Sequence, residues 1–235
     1  MKSVYGPVRS WRLGVAMGID PICRQPKVCN FKCIYCRLGH GGIMVTERGK
    51  FVDERTVMEE ARDLLKEHKI DAVEFRGTGE PFLAKNLANI ALGLRDLTDA
   101  PLCVVTNGSL FVRPDVQGEL DSFDIIVVKL DCADRDAFVG MNRPHCSVTY
   151  DKLVEYMVRA RRSHKGSFRV QVTVVRQNIA DMERIVAICD QVDPEMVYLN
   201  TPGRSGTYEI SKKDLGEIAE LFAAYKVRTV FDDLV

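Results

Sequence analysis

Three cysteines fall within one octapeptide, Cys29-Asn30-Phe31-Lys32-Cys33-Ile34-Tyr35-Cys36, at intervals of four and three. Thiolate is a soft ligand that suits zinc and iron–sulfur clusters. Structural zinc closes its shell with four ligands, usually from paired short spacings. Here there is one CxxC pair, Cys33 and Cys36, with Cys29 as the nearest addition. His40 supplies the fourth ligand of a Cys3His zinc alternative. A cubane cluster held by three thiolates instead leaves one iron open to an exogenous ligand. A disulfide framework suits small secreted chains, and 235 residues without an export signal do not need one. The other five cysteines, Cys23, Cys103, Cys132, Cys146 and Cys189, are scattered, as small buried apolar residues often are.

The elements that must position these thiols are short apolar runs alternating with helical stretches. Residues 13–19 (LGVAMGI) lead into the cysteine loop, and 54–68 place Val57, Ala61, Leu64 and Leu65 on one helical face. AVEF (72–75), LCVVT (102–106), DIIVVKL (124–130), FRVQVTVV (168–175), MVYLN (196–200) and KVRTVF (226–231) read as strands. Helices are expected near 86–97, 114–120, 149–164, 180–191 and 211–224. β-Branched runs buried on both faces, alternating with helices six times, predict parallel strands with helical crossovers. The length fits an α/β partial (β/α)6 TIM-like barrel, in one domain over 1–235, with a doubly wound sheet as the competing order. The cluster loop spans about 20–50, and a C-terminal helix and strand about 207–235.

Each strand ends in a polar or small-residue signature: the cysteine loop, RGTGEP, TNGS, KLDC, VRQN and LNTP. Parallel architectures place active sites at the C-terminal strand ends, so six signatures converge on one rim. Turn chemistry explains any one of them; six beside a thiol cluster point to a site.

With these residues in view, the chain resembles the radical S-adenosylmethionine (radical SAM) superfamily. CNFKCIYC matches its CxxxCx(aromatic)C signature, with Tyr35 at the aromatic position, and GTGEP (77–81) resembles its Gly-Gly-Glu-Pro element. YGPVRSWRLG, MNRPH (141–145) and LNTP (199–202) resemble a subgroup similar to the wyosine-tRNA synthases. The resemblance implies a [4Fe–4S] cluster on Cys29, Cys33 and Cys36, whose open iron chelates S-adenosylmethionine. It implies Tyr35 beside the adenine, Gly77, Thr78, Gly79 and Glu80 near the methionine amino group, and Thr106 and Asn107 lining the same pocket. Lys129, Asp131, Arg176 and Asn200 complete the implied cofactor contacts. The implied chemistry is reductive cleavage to a 5′-deoxyadenosyl radical that abstracts a substrate hydrogen inside the barrel. Where relatives have Ser-Leu-Asp-Ala, this chain has Lys129-Leu130-Asp131-Cys132, which makes Lys129 and Cys132 candidate catalytic groups. Arg143 is a candidate for a bidentate anion contact, and Arg9 and Arg12 are candidates to cap the barrel bottom.

Lys+Arg and Asp+Glu are both 33, so net charge gives no general attraction to nucleic acid or anionic membrane. No apolar run approaches the roughly 20 residues a spanning helix needs, and MKSVYGPVRSW does not have the form of a signal peptide. The expectation is a cytoplasmic enzyme served by a reductant protein such as flavodoxin or ferredoxin. Its substrate is a small molecule, a protein (as for glycyl-radical activating enzymes) or tRNA.

Overall fold

The computed structural model describes residues 1–39, 41–202 and 210–232. In chain order the elements are β1 (Val4–Ser10), β2 (Gly14–Ile19), β3 (Val28–Cys29), β4 (Ile43–Met44), α1 (Glu54–Glu67) and β5 (Ala72–Phe75). Next come α2 (Leu87–Arg95), β6 (Leu102–Thr106), α3 (Pro114–Gln117), β7 (Ile125–Lys129), α4 (Arg135–Met141), α5 (Tyr150–Ser163) and β8 (Ser167–Thr173). The chain continues with α6 (Met182–Val192), β9 (Met196–Asn200), α7 (Lys212–Leu221) and β10 (Lys226–Thr229).

One eight-stranded sheet runs β1-β2-β5-β6-β7-β8-β9-β10, with β3 and β4 as a separate parallel pair in the cluster loop. β1 pairs antiparallel with β2, and every other neighbouring pair is parallel. The parallel strands follow one another in sequence order without a reversal. That excludes a doubly wound sheet, which needs a switch point, and gives the curled half-barrel expected from the sequence. The structure adds a strand before the six repeating units, β1, and a short helix, α4, that the sequence reading did not contain.

Period-two alternation sorts the side chains. Met17, Ile19, Val73, Phe75, Val104, Ile126, Val128, Val170, Val172, Val197 and Leu199 join the helices in the main core. Their neighbours Cys103, Ile125, Val127 and Tyr198 form a separate cluster with Trp11 and Leu13, which is the inside of the barrel. The β1–β2 hairpin closes its N-terminal end. Arg12 donates from Nε to Gln171 Oε1 at 2.7 Å and pairs from Nη1 with Glu74 Oε1 at 3.2 Å. Trp11 meets Tyr198 edge-on with centroids 5.4 Å apart. Arg12 therefore does cap the barrel bottom, as a buried ion pair with a third, neutral partner.

Candidate active site at the C-terminal strand ends

The cluster loop leaves β2, crosses the rim and is pinned at two places. On one side Val28 N–H donates to Thr78 O at 3.0 Å and Glu80 N–H to Val28 O at 3.3 Å. On the other, Lys32 N–H donates to Asn142 O at 3.0 Å, Ile34 N–H to Met141 O at 2.8 Å and His145 N–H to Asn30 O at 2.8 Å. The loop thus hangs between the end of β5 and the end of α4.

The three thiols occupy this suspended segment, all partly buried. Each has a donor. Phe31 N–H points at Cys29 Sγ (3.5 Å), Asn142 Nδ2 at Cys33 Sγ (3.4 Å) and Lys27 Nζ at Cys36 Sγ (3.0 Å). Lys27 is only 6% exposed, and among the described residues no carboxylate pairs with it. A buried ammonium without an anion is costly, so its position calls for negative charge on the sulfurs. Burial pushes the Cys29 thiol up to about 12 and raises that of Cys33; a bound cationic centre is what makes such groups thiolates. Among the described residues no three His, Cys, Asp or Glu side chains converge on one metal-ion position. A cubane cluster does not require that, because each thiolate binds a different iron. His40, the fourth ligand of the zinc alternative, lies outside the described residues. The donor set fits a cluster held by Cys29, Cys33 and Cys36.

Around the thiols, two networks gather most of the residues expected from the sequence. In the first, the Tyr35 hydroxyl donates to Asp131 Oδ2 and accepts from Asn142 Nδ2 at 2.9 Å. Lys129 Nζ donates to Asp131 Oδ1 at 3.0 Å and to Thr173 Oγ1, and lies 5.1 Å from the Tyr35 ring centroid. Cys132 Sγ donates to Asn142 Oδ1 at 3.1 Å. Tyr35, Asp131, Cys132 and Asn142 border a cavity of ≈ 20 Å³, room for about one water. That cavity is too small for a nucleoside.

In the second network, Glu80 turns inward. Its carboxylate caps Phe82 N–H at 3.2 Å and accepts from Thr106 Oγ1 at 2.6 Å and Asn107 N–H at 2.8 Å. Burial raises its pKa to about 7 against these three donors. Asn107 and Ser109 then hold Asn30, between Cys29 and the aromatic contacts of Phe31. The glycines are also occupied by protein. A Cβ on Gly79 would lie 1.8 Å from Val28 O, and one on Gly77 would lie 2.1 Å from Asp20 Cγ. Thr78 O is taken by Val28, whereas among the described residues no N–H donates to the carbonyls of Gly77 and Gly79.

Asn200 closes β9 opposite Thr173, and its carbonyl accepts from Val174 N–H at 2.7 Å. Arg176 stands apart, exposed on the loop after β8 and joined to neither network. Arg143 is exposed too, at a φ of 46°; in the MNRPH segment it is Asn142 that faces the cysteines. Sequence reasoning missed Lys27, Asn30, Asn142 and Thr173. The signal for Lys27 was a charge two residues before the first cysteine, and the others acquire meaning only when distant segments meet.

Residues 26–189 match the Radical SAM superfamily, and the chain belongs to it. It is 31% identical over its full length to a UPF0026 protein of Methanocaldococcus jannaschii, covering 73% of that protein. It is 32% identical over 215 residues, 90% of this chain, to a Brachyspira hyodysenteriae protein named GTPase Obg, but spans 31% of that protein's length. The solved structure of Streptococcus suis SuiB bound to S-adenosylmethionine shares the fold, with a TM-score of 0.64 at 16% identity. That alignment covers 89% of this chain and 50% of SuiB.

Proposed function

We propose that this chain is a radical SAM enzyme that reductively cleaves S-adenosylmethionine and abstracts a hydrogen from a substrate held in the barrel. The observation that carries the reading is the suspended loop, where three thiols with a donor to each sulfur sit over the open C-terminal end of a half-barrel. A [4Fe–4S] cluster there would supply one electron to the sulfonium and so provide the 5′-deoxyadenosyl radical.

The protein's part is to hold and orient. Cys29, Cys33 and Cys36 bind the cluster, and the carbonyls of Gly77 and Gly79 face the methionine amino group. Tyr35 is fixed by Asp131 and Asn142 so that its ring borders the adenine. Thr106 and Asn107 shape the wall through Glu80. Lys129 and Asp131 set the charge at the end of β7, and Asn200 lines the rim beyond Thr173. Arg176 is exposed and would contribute only to a ligand that extends past the rim. Among the described residues no helix is long and apolar enough to cross a membrane, and a flavodoxin- or ferredoxin-type reductant in the cytoplasm fits the exposed loop.

The test is anaerobic reconstitution followed by reduction with S-adenosylmethionine present. The expected result is about four irons per chain, cofactor binding and release of 5′-deoxyadenosine, all lost in Cys33→Ala. Protein that takes up iron but neither binds nor cleaves S-adenosylmethionine overturns the reading.

A further inference from the structure

We infer that the barrel lumen receives an anionic group of the substrate, a carboxylate or a phosphate, and that Arg76 anchors it. This rests on the radical SAM reading only in placing the substrate inside the barrel.

Arg76 directly follows β5 and continues its ladder, donating its N–H to Ile19 O at 2.9 Å. It lies two residues beyond Glu74, which faces the lumen to meet Arg12, so alternation directs Arg76 to the same space one layer nearer the rim. Its backbone is held firmly. The Tyr5 hydroxyl donates to Arg76 O at 3.0 Å, and the Tyr5 ring packs so closely on Gly18 that a Cβ there would lie 2.1 Å from it.

The side chain, by contrast, lacks a full partner among the described residues. The Arg76 side chain is 40% exposed, and its carboxylate neighbour, Glu74 Oε2, is 3.8 Å away, beyond hydrogen-bond reach. Glu74 is already committed to Arg12 through its other oxygen. The described lumen side chains include the cations Arg12, Arg76, Lys129 and Arg169 against the anions Glu74, Asp131 and Asp20, the last already taken by the N–H groups of Ile22, Cys23 and Thr78. Arg169 meets a tyrosine hydroxyl, Tyr198, and not an acid. Positive charge is thus in surplus in a space whose floor is sealed by the hairpin, where field lines are poorly screened. A planar fork with five donors is matched to a carboxylate or phosphate edge.

The experiment is calorimetric titration of pyrophosphate and of malonate, at constant ionic strength, into reconstituted protein loaded with S-adenosylmethionine. At least one anion is expected to bind the wild type, and which one binds separates the phosphate from the carboxylate source. Arg76→Gln should weaken that binding by about tenfold or more, as expected for a charge-assisted pair, and Arg76→Lys should recover part of it. Affinity for S-adenosylmethionine should change by less than about twofold, within the scatter for a residue that does not touch it. The inference is overturned if neither anion binds, or if Arg76→Gln binds the anion as well as the wild type. It is also overturned if the variant loses S-adenosylmethionine in parallel, which would make Arg76 a cofactor contact. Wild-type protein that binds anions through Arg76 but not S-adenosylmethionine sinks the radical SAM reading and leaves the anion site standing.

Discussion

The ammonium of Lys27 lies 3.0 Å from the Sγ of Cys36, buried under the loop, where a Cβ on Gly42 would fall 2.8 Å from Lys27 O. A cation hydrogen-bonded to a cluster sulfur stabilises the reduced cluster, which carries one more negative charge, over the oxidised one. With a cluster on Cys36, the reduction potential would therefore be higher with Lys27 than without it. A hydrogen bond to a charged group contributes about 1.5–3 kcal/mol, so Lys27→Met should lower the midpoint potential of a one-electron couple by roughly 65–130 mV. Potentiometry followed by electron paramagnetic resonance reads this directly, with iron content as the control. An unchanged potential in fully loaded Lys27→Met would show that the contact is packing alone.

Cys132, a candidate catalytic group by its place at the end of β7, is held as a neutral donor. It is buried, burial pushes its thiol well up, and its Sγ donates to the Asn142 carboxamide that in turn faces Cys33 and Tyr35. Its work is to fix which way Asn142 points. Cys132→Ser preserves a donor and should keep iron binding and S-adenosylmethionine cleavage within about twofold, whereas Cys132→Val frees the carboxamide and should weaken both. In the native protein iodoacetamide should label exposed Cys146 and spare Cys132, read by peptide mass spectrometry. Full loss of cleavage in a cluster-loaded Cys132→Ser would return the thiol to a chemical role.

His164 reports on stability away from the site. Among the described residues neither ring nitrogen has a hydrogen-bond partner, and Asp121 Oδ1 stands 3.5 Å from Nδ1. Burial lowers its pKa below the usual 6.5. With the folded value depressed, the unfolded chain binds the proton more readily, so this contribution is whole above pH 6.5 and is lost as pH falls below it. His164→Leu should therefore flatten part of the fall in thermal midpoint between pH 7 and 5. The cluster-free protein suffices for the measurement. Parallel pH profiles for the two proteins would contradict the assignment.

Much of this was legible because parallel strands buried on both faces are continuous apolar runs: LCVVT and MVYLN are β6 and β9 residue for residue. β1 was not, since Gly6 and Pro7 interrupt the pattern and proline argues against a strand. It survives as an edge strand because the ladder is irregular between Tyr5 and Val8. The thiols could be read from spacing, but their surroundings could not. Asn142 reaches Cys33 across 109 positions of sequence, and only closure of the barrel brings them together. Glu80 and the glycines of GTGEP were placed at the right rim, but their protein contacts could not be read from the sequence: they approach Val28, Asp20 and Thr106, and through these they set the loop that carries the thiols.

That relation gives the most direct test of how the rim builds the site. Gly79 runs beside Val28 in a parallel bridge, and the missing Cβ is what lets the two backbones meet. A Cβ 1.8 Å from a backbone oxygen cannot be relieved by a side-chain rotation, so the strand must move. Gly79→Ala then breaks the bonds from Val28 N–H to Thr78 O and from Glu80 N–H to Val28 O, a cost of about 2–3 kcal/mol for two hydrogen bonds. Cys29 is the residue next to Val28, so the same shift moves a proposed cluster ligand. Gly41 is the control: it lies in the same loop, and a Cβ there meets nothing within 4 Å. After reconstitution Gly41→Ala should carry iron as the wild type does. Gly79→Ala should stay folded by circular dichroism, melt lower and hold well under half the iron. Wild-type iron content in Gly79→Ala would mean that the β5 rim does not position the thiols.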